Sequence, residues 1–159
     1  MVSIDFKKDT WIYILIAAVL ALISIFTPLG TFDTYFGSPV PDKIFWWTSL
    51  IMYNAGQDPS WFGQGVATVW TLGITCMSFA ILLVYGIHNM KGMDFKWGWL
   101  VYALVGIALI IFPILMIVFD SETIGLGEVT IGFAPIGILI SGIICIVAFI
   151  FEKFVGRGE

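Results

Sequence analysis

The amino-acid sequence predicts an all-α membrane protein, a bundle of four antiparallel helices that each cross the bilayer. Four long apolar stretches contain no Asp, Glu, Lys, Arg or His, and each has about the 17–25 residues that a membrane-crossing helix needs. The chain is 60% hydrophobic and 11% charged, whereas a soluble domain is about 25% charged. Once four spans and their loops are placed, we expect residues 1–159 to form a single domain.

The four predicted spans are separated by loops of unequal length. The first span ends in Thr27-Pro28-Leu29-Gly30, which is typical of a helix end. Pro113 lies deep in the third span, where we expect it to kink the helix; a gating hinge is the alternative. The predicted spans cover residues 11–29, 66–87, 98–119 and 131–151.

The basic residues predict the orientation of the chain. Six of the seven Lys and Arg residues lie at the termini or between the second and third stretches, and Lys43 is the exception. Because cytoplasmic segments near spans are enriched in Lys and Arg, we expect both termini and residues 88–97 to be cytoplasmic. Residues 30–65 and 120–130 would then be outer loops of a multi-pass protein in the cell membrane.

Small residues recur at helical spacing within the spans. Lipid tails are as apolar as Leu, so membrane helices associate through the close fit that small side chains allow. No C-x-x-C motif is present, which favours packing over redox chemistry for both cysteines. The residues that we expect in helix contacts are Ala17, Ala21, Gly73, Cys76, Gly106, Gly137, Ser141 and Cys145.

The first outer loop is long for a connection in a helical bundle, which is typical of functional loops. Residues 42–54 are very apolar, with Asp42 as a good N-cap and Gly56 as a good stop. We expect a short helix on the membrane surface here; a strand in a small extracellular sheet is the alternative. The residues that we expect to contact a partner, unless they anchor the loop in lipid, are Trp46, Trp47, Leu50 and Trp61.

The polar residues form no recognisable catalytic pattern. The sequence shows no nucleophile–base pair, carboxylate dyad or metal-ligand cluster, and its one acidic grouping, Asp120, Glu122 and Glu128, is loose. We therefore expect a protein that is not an enzyme, requires no cofactor or metal and binds no nucleic acid.

The predicted topology resembles that of the claudin and peripheral myelin protein superfamily. The shared features are four spans, cytoplasmic termini, a longer first outer loop with tryptophans and a shorter second one. The nearest match to the family's Gly-Leu-Trp motif is Phe45-Trp46-Trp47-Thr48-Ser49-Leu50, and the two loop cysteines of that family are absent. The resemblance implies extracellular contacts or association with a larger membrane protein.

Two functions are consistent with a bundle that has no ionisable groups within its spans. We expect an interaction or assembly subunit that packs against the bilayer and against other membrane proteins or itself, through small-residue helix faces and an aromatic outer loop. The alternative is a small oligomeric channel or transporter with a hydroxyl-lined path. That path would use Ser24, Thr71, Thr75, Ser78 and Ser141, with Pro113 as its hinge.

Overall fold

Four helices form the body of the protein. The computed structural model describes residues 9–32, 42–45, 50–52, 60–61, 65–93, 96–123 and 130–154. The helices are α1 (Thr10–Phe26), α2 (Gly65–Met90), α3 (Gly98–Thr123) and α4 (Phe133–Phe154). Each begins and ends within a few residues of a predicted span, so the prediction of four helices is confirmed.

Two of the helices are long and apolar enough to cross a membrane, judged by length and composition. Among the described residues these segments are Leu72–Met90, with 19 residues, and Phe133–Phe154, with 22 residues. The apolar helical segments Thr10–Phe26 and Gly98–Ile114 are shorter. Within the described residues, α2 and α4 are therefore the helices that could cross a membrane by this criterion.

The first helix ends earlier than predicted because of the proline that follows it. Proline disfavours helical backbone in the residue before it. Thr27 accordingly has extended dihedral angles, φ −98° and ψ 156°. The chain therefore leaves α1 at Phe26 and enters a strand at Pro28, so the predicted span of residues 11–29 is too long at this end.

The second helix ends in a Schellman motif. Gly92 has a φ of +72°, a left-handed conformation that glycine adopts at little cost. The N–H of Gly92 donates to the Asn89 carbonyl at 2.9 Å, and the N–H of Met93 donates to the His88 carbonyl at 3.3 Å. This turn closes α2 and starts the short connection to α3.

The helices pack with α1 and α4 at the centre. The most extensive contacts join α1 with α2, α1 with α4, and α3 with α4, whereas α2 and α3 touch over a smaller area. Ser141, in the middle of α4, bonds to Ala17 in α1, while Gly137, earlier in α4, lies against Ser24, later in α1. Residue numbers thus rise along one helix as they fall along the other, so this central pair is antiparallel.

Large apolar side chains lie on the outer surface of the bundle as well as in its buried core. The outward residues recur every three or four positions: Ile12, Ile16, Val19 and Ile23 on α1, Leu104, Ile107, Ile111 and Ile114 on α3, and Ile136, Ile140, Ile143, Val147 and Ile150 on α4. Each of these helices therefore has an apolar stripe facing away from its partners. The buried cluster inside consists of Ile14, Ala17, Ala18, Leu82, Tyr102, Val105, Leu109, Ala134, Ile138, Cys145 and Ala148.

A small antiparallel sheet is added to the helical bundle. Its strands are β1 (Pro28–Phe32), β2 (Asp42–Phe45), β3 (Leu50–Met52), β4 (Ser60–Trp61) and β5 (Thr130–Ile131), in the order β4-β3-β2-β1-β5. The first four come from the first predicted outer loop, and β5 lies next to the start of α4. We call this the sheet end of the bundle, and the opposite end, where α2 connects to α3, the connection end.

The predicted surface helix over residues 42–54 is wrong. Residues at both its start and its middle are strands instead, with Ile44 paired to Ile51 and Phe45 paired to Leu50. β2 also pairs with β1, which follows directly from α1. Pairing on both sides satisfies the backbone groups of β2, and its β-branched and aromatic residues suit an extended chain. The alternative of a small sheet is the correct one.

Candidate functional site

The contact between α1 and α4 brings together four of the eight small residues that were predicted to pack. Ala17, Ala21, Gly137 and Ser141 are all buried. The Ser141 hydroxyl donates a 2.7 Å hydrogen bond to the Ala17 carbonyl across the interface. A Cβ atom on Gly137 would collide with the Ser24 hydroxyl and would come within 2.9 Å of the Phe133 ring. The two backbones therefore approach more closely than larger side chains would permit.

The contact between α3 and α4 depends on two glycines that face each other. A Cβ on Gly142 would lie 2.8 Å from Ile110 Cγ1 and 3.0 Å from the carbonyl oxygen of Gly106. A Cβ on Gly106 would lie 2.9 Å from Ile146 Cδ1 and 3.1 Å from Cys145 Cβ. Cys145 is fully buried here, as its predicted packing position requires.

The predicted packing face of α2 is not the face that contacts α1. Gly73 and Cys76 are exposed, and a Cβ on Gly73 would meet nothing within 4 Å. The buried positions are Ser78, Leu82 and Gly86, and Gly86 approaches the Leu15 side chain. At 100° per residue, this face is roughly 150° away from Gly73 and Cys76. The predicted packing face with Gly73 and Cys76 is therefore wrong for the contact with α1. Small residues occur on both sides of α2, and the bulky side chain of Leu82 fills the contact.

The residues predicted to contact a partner belong to the sheet. Leu50 lies in β3 and Trp61 in β4, and the two are paired with each other. Trp46 and Trp47 lie outside the described residues. In the sequence they lie between β2 and β3, which pair with each other as antiparallel strands.

The hydroxyl groups of the hypothetical path are used in helix packing. Ser24 donates to the Leu20 carbonyl at 2.8 Å, and Ser141 donates to Ala17 on the neighbouring helix. Thr75 and Ser78 are buried on α2, and Pro113 is buried within α3; the Thr71 side chain lies outside the described part of the chain. Ser24 and Ser141 therefore contribute to one tightly packed interface, the contact between α1 and α4.

A polar cluster at the connection end was not predicted from the sequence. The Asn89 amide of α2 donates a hydrogen bond to the Tyr102 hydroxyl of α3. The ring of Tyr85 meets that of Tyr102 edge to face, with centroids 6.1 Å apart, and Glu152 of α4 interacts electrostatically with Tyr102. Asn89 lies in the last turn of α2 and Tyr102 in the second turn of α3, and this position of both residues close to the short connection is the signal that could have revealed the pair.

Aromatic rings surround a lysine at the same end. The Lys153 ammonium lies 4.3 Å from the centroid of the Trp99 ring, and the rings of Phe149 and Phe154 lie 5.4 and 5.5 Å away. Trp97 stacks on Trp99 with centroids 6.3 Å apart. Cations favour aromatic faces at such distances. The last turn of α4 is therefore fastened to the first turn of α3 beside the polar cluster.

Comparisons with known proteins identify no relative of this chain. No protein-family model matches it, and neither a curated protein nor a solved structure is significantly similar to it. Among the described residues, no group of three or more His, Cys, Asp or Glu side chains could hold a metal ion. The candidate functional features are therefore the helix-packing faces, the outer sheet and the two clusters at the connection end.

Replacing Ser141 with alanine is expected to lower the free energy of unfolding by about 0.5–1.5 kcal/mol, because the Ala17 carbonyl loses its partner from α4. Ser24→Ala is the matched comparison, since the Ser24 hydroxyl packs at the same interface, next to Gly137, but bonds within its own helix. Reversible unfolding of the purified protein in mixed micelles measures both. If Ser24→Ala costs as much as Ser141→Ala, the hydrogen bond between the helices is not the cause.

Proposed function

We propose that this chain is a non-catalytic four-span membrane protein that assembles with other membrane proteins or with copies of itself. In this proposal all four helices cross the cell membrane. Both termini and the connection end are cytoplasmic, and the sheet end faces outside. Assembly uses outward helix faces and the hairpin that carries Trp46 and Trp47.

The observation that carries this proposal is the apolar stripe on the outside of the helices. Side chains such as Phe26 and Met77 are each 65% exposed, and Leu104 is 60% exposed. Exposed apolar surface of this extent marks contact with lipid or with another protein. Since the stripes lie on α1, α3 and α4, they suit a bilayer that surrounds the bundle, with partner helices replacing lipid on part of it.

Charge supports the proposed orientation. The connection end carries Lys91, Lys96 and Lys153, whereas the strand β2 at the other end carries Lys43 beside Asp42. The sequence at and around the sheet is acidic. An excess of lysine on one side of the membrane favours a cytoplasmic location for that side.

The resemblance to the claudin and peripheral myelin protein superfamily belongs to the same proposal. In this chain, strands from both predicted outer segments pair with β1, so the two segments form one surface. If the resemblance holds, this surface makes extracellular contacts or binds a larger membrane protein. The missing loop cysteines mean that the surface is held by strand pairing without a disulfide in those loops.

The packed interior favours assembly over conduction by a single chain. Gly106 and Gly142 bring α3 against α4, and the Ser141 hydrogen bond joins α4 to α1. Contacts this close leave no lumen along those two interfaces. A small channel therefore stays an alternative only for an oligomer, with its path between chains.

Changing both Trp46 and Trp47 to alanine is expected to reduce the partner bound to the extracted protein several-fold. Tryptophan contacts commonly dominate binding energy, so losing two of them weakens an interface strongly. The measurement is native mass spectrometry after extraction in mild detergent.

Trp97→Ala is the matched control for this experiment. Trp97 is 61% exposed and lies at the opposite end of the bundle, so its loss removes an exposed tryptophan without altering the hairpin. Unchanged partner content in the Trp46 and Trp47 double variant would contradict the hairpin contact. A wild-type protein that carries neither a partner nor a second copy would contradict the assembly function itself.

A further inference from the structure

The first turn of α3 is a hub for the connection end. Trp99 in this turn holds the Lys153 ammonium of α4 against its ring. Tyr102, one turn further, accepts the hydrogen bond from Asn89 of α2. The ends of α2 and α4 and the start of α3 are thus fixed close to one another by two independent contacts.

Two exposed lysines and one exposed tryptophan lie on the connection that leads into this turn. Lys91 and Lys96 are exposed on the connection between α2 and α3, and Trp97 is 61% exposed beside them. The Schellman turn at Gly92 fixes how the chain leaves α2. We call the following five residues the basic-aromatic patch: Lys91, Lys96, Trp97, Trp99 and Lys153.

The structure describes two acidic groups near this end, Glu152 and Asp9. One carboxylate oxygen of Glu152 is completely buried, and the residue interacts with the inward Tyr102. Asp9 precedes the start of α1, and Asp94 lies outside the described residues. Lys91 and Lys96, by contrast, are exposed to solvent.

Both components of the patch suit the headgroup layer of a membrane. Tryptophan rings favour the level of the headgroups. Lysines next to a span attract anionic lipids, and this attraction acts only over a short distance because salt screens it. The aromatic rings around Lys153 restrict where its ammonium can lie, which lowers the entropy that is lost when a phosphate binds.

We propose that the basic-aromatic patch binds the headgroup phosphate of an anionic phospholipid in the leaflet at the connection end. The lysines bind the phosphate, while Trp97 and Trp99 lie alongside the glycerol and upper acyl region. This inference rests on the proposed membrane placement of the helices. It adds a specific lipid site to the proposed assembly function and does not depend on any protein partner.

The test is a competition between two lipids for the full-length protein. The protein in detergent is mixed with equal amounts of phosphatidylglycerol and phosphatidylcholine, and the bound lipids are measured by native mass spectrometry. We expect the wild-type protein to retain phosphatidylglycerol preferentially. The double variant Lys91→Gln with Lys96→Gln is expected to lower that preference about 25-fold, at about fivefold for each lysine. Lys153→Gln is expected to lower it about fivefold.

Lys43→Gln is the matched control, because it removes one positive charge at the sheet end. A loss of preference in Lys43→Gln equal to that in Lys153→Gln would overturn the site, as would a wild-type protein without preference. Displacement of phosphatidylglycerol by inorganic phosphate, but not by chloride at the same ionic strength, would also overturn it, since the patch would then be a site for free phosphate.

Extraction of wild-type membranes with alkaline carbonate separates failure of the lipid site from failure of the proposed function. If carbonate releases the chain, the four-span placement is wrong, and the lipid inference falls with it. If the chain stays in the membrane but its bound lipids show no preference, only the lipid site is wrong. Retention in the membrane together with a lysine-dependent preference supports both.

Discussion

Gly142→Leu is expected to destabilise the bundle by about 3 kcal/mol or more, at the upper end of what overpacking costs. The first added carbon would already lie 3.0 Å from the Gly106 carbonyl oxygen, which is backbone and cannot rotate away. The α3 and α4 helices would have to separate along the contact that also buries Cys145. The measurement is the free energy of unfolding in mixed micelles, followed by helical circular dichroism.

Gly73→Leu is the matched control for this substitution. The chemical change is the same and the position is also within a helix, but a Cβ there meets nothing within 4 Å. We expect it to leave stability unchanged or to raise it by up to about 1 kcal/mol, since leucine favours a helix more than glycine does. If both variants lose the same stability, the close approach of α3 and α4 is not what Gly142 provides.

Tyr102→Ala is expected to cost about 3–5 kcal/mol, the usual range for truncating a large buried aromatic residue. Its side chain is fully buried, accepts a hydrogen bond from Asn89 of α2 and belongs to the buried cluster that includes Cys145 of α4. Tyr102→Phe keeps the ring and removes the hydroxyl that accepts from Asn89, so we expect a smaller loss of about 0.5–1.5 kcal/mol. Unfolding of the purified variants in mixed micelles measures both losses.

Leu104→Ala is the matched control for Tyr102→Ala, because it truncates a large side chain at an exposed position of the same helix. Leu104 lies two residues along α3 but is 60% exposed, so its truncation leaves no internal cavity, and we expect a change near zero. A Tyr102→Ala variant as stable as Leu104→Ala would contradict the role of Tyr102 as the contact between α2, α3 and α4. A double-mutant cycle with Asn89→Leu measures the hydrogen bond separately from the ring.

The helices could be predicted from the sequence because they depend on local composition. The uncharged stretches are long, and the packing face of α4 follows from the spacing of Gly137, Ser141 and Cys145. On α2 the same reasoning failed, because Gly73 and Cys76 are small but lie opposite the contact with α1. Small size shows where a helix could approach, whereas the fit of larger residues such as Leu82 determines where it does.

The sheet and the connection-end clusters could not be predicted in the same way. Residues 42–45 become a strand through pairing with β1, which is more than ten residues earlier in the chain. A local pattern of apolar residues does not contain that information, and it suits a helix equally well. The hydrogen bond between Asn89 and Tyr102 likewise depends on how α2 and α3 fold back on one another.

The short connections between the sheet and the helices determine how a force on the sheet would be transmitted to the bundle. A single residue, Thr27, separates α1 from β1, and a single residue, Gly132, separates β5 from α4. β1 and β5 are paired with each other. A force that a partner applies to the sheet would therefore be transmitted to α1 and α4 at the same time. The Ser141 hydrogen bond and the close contact at Gly137 would resist separation of α1 from α4. The sheet and these two helices would then move together.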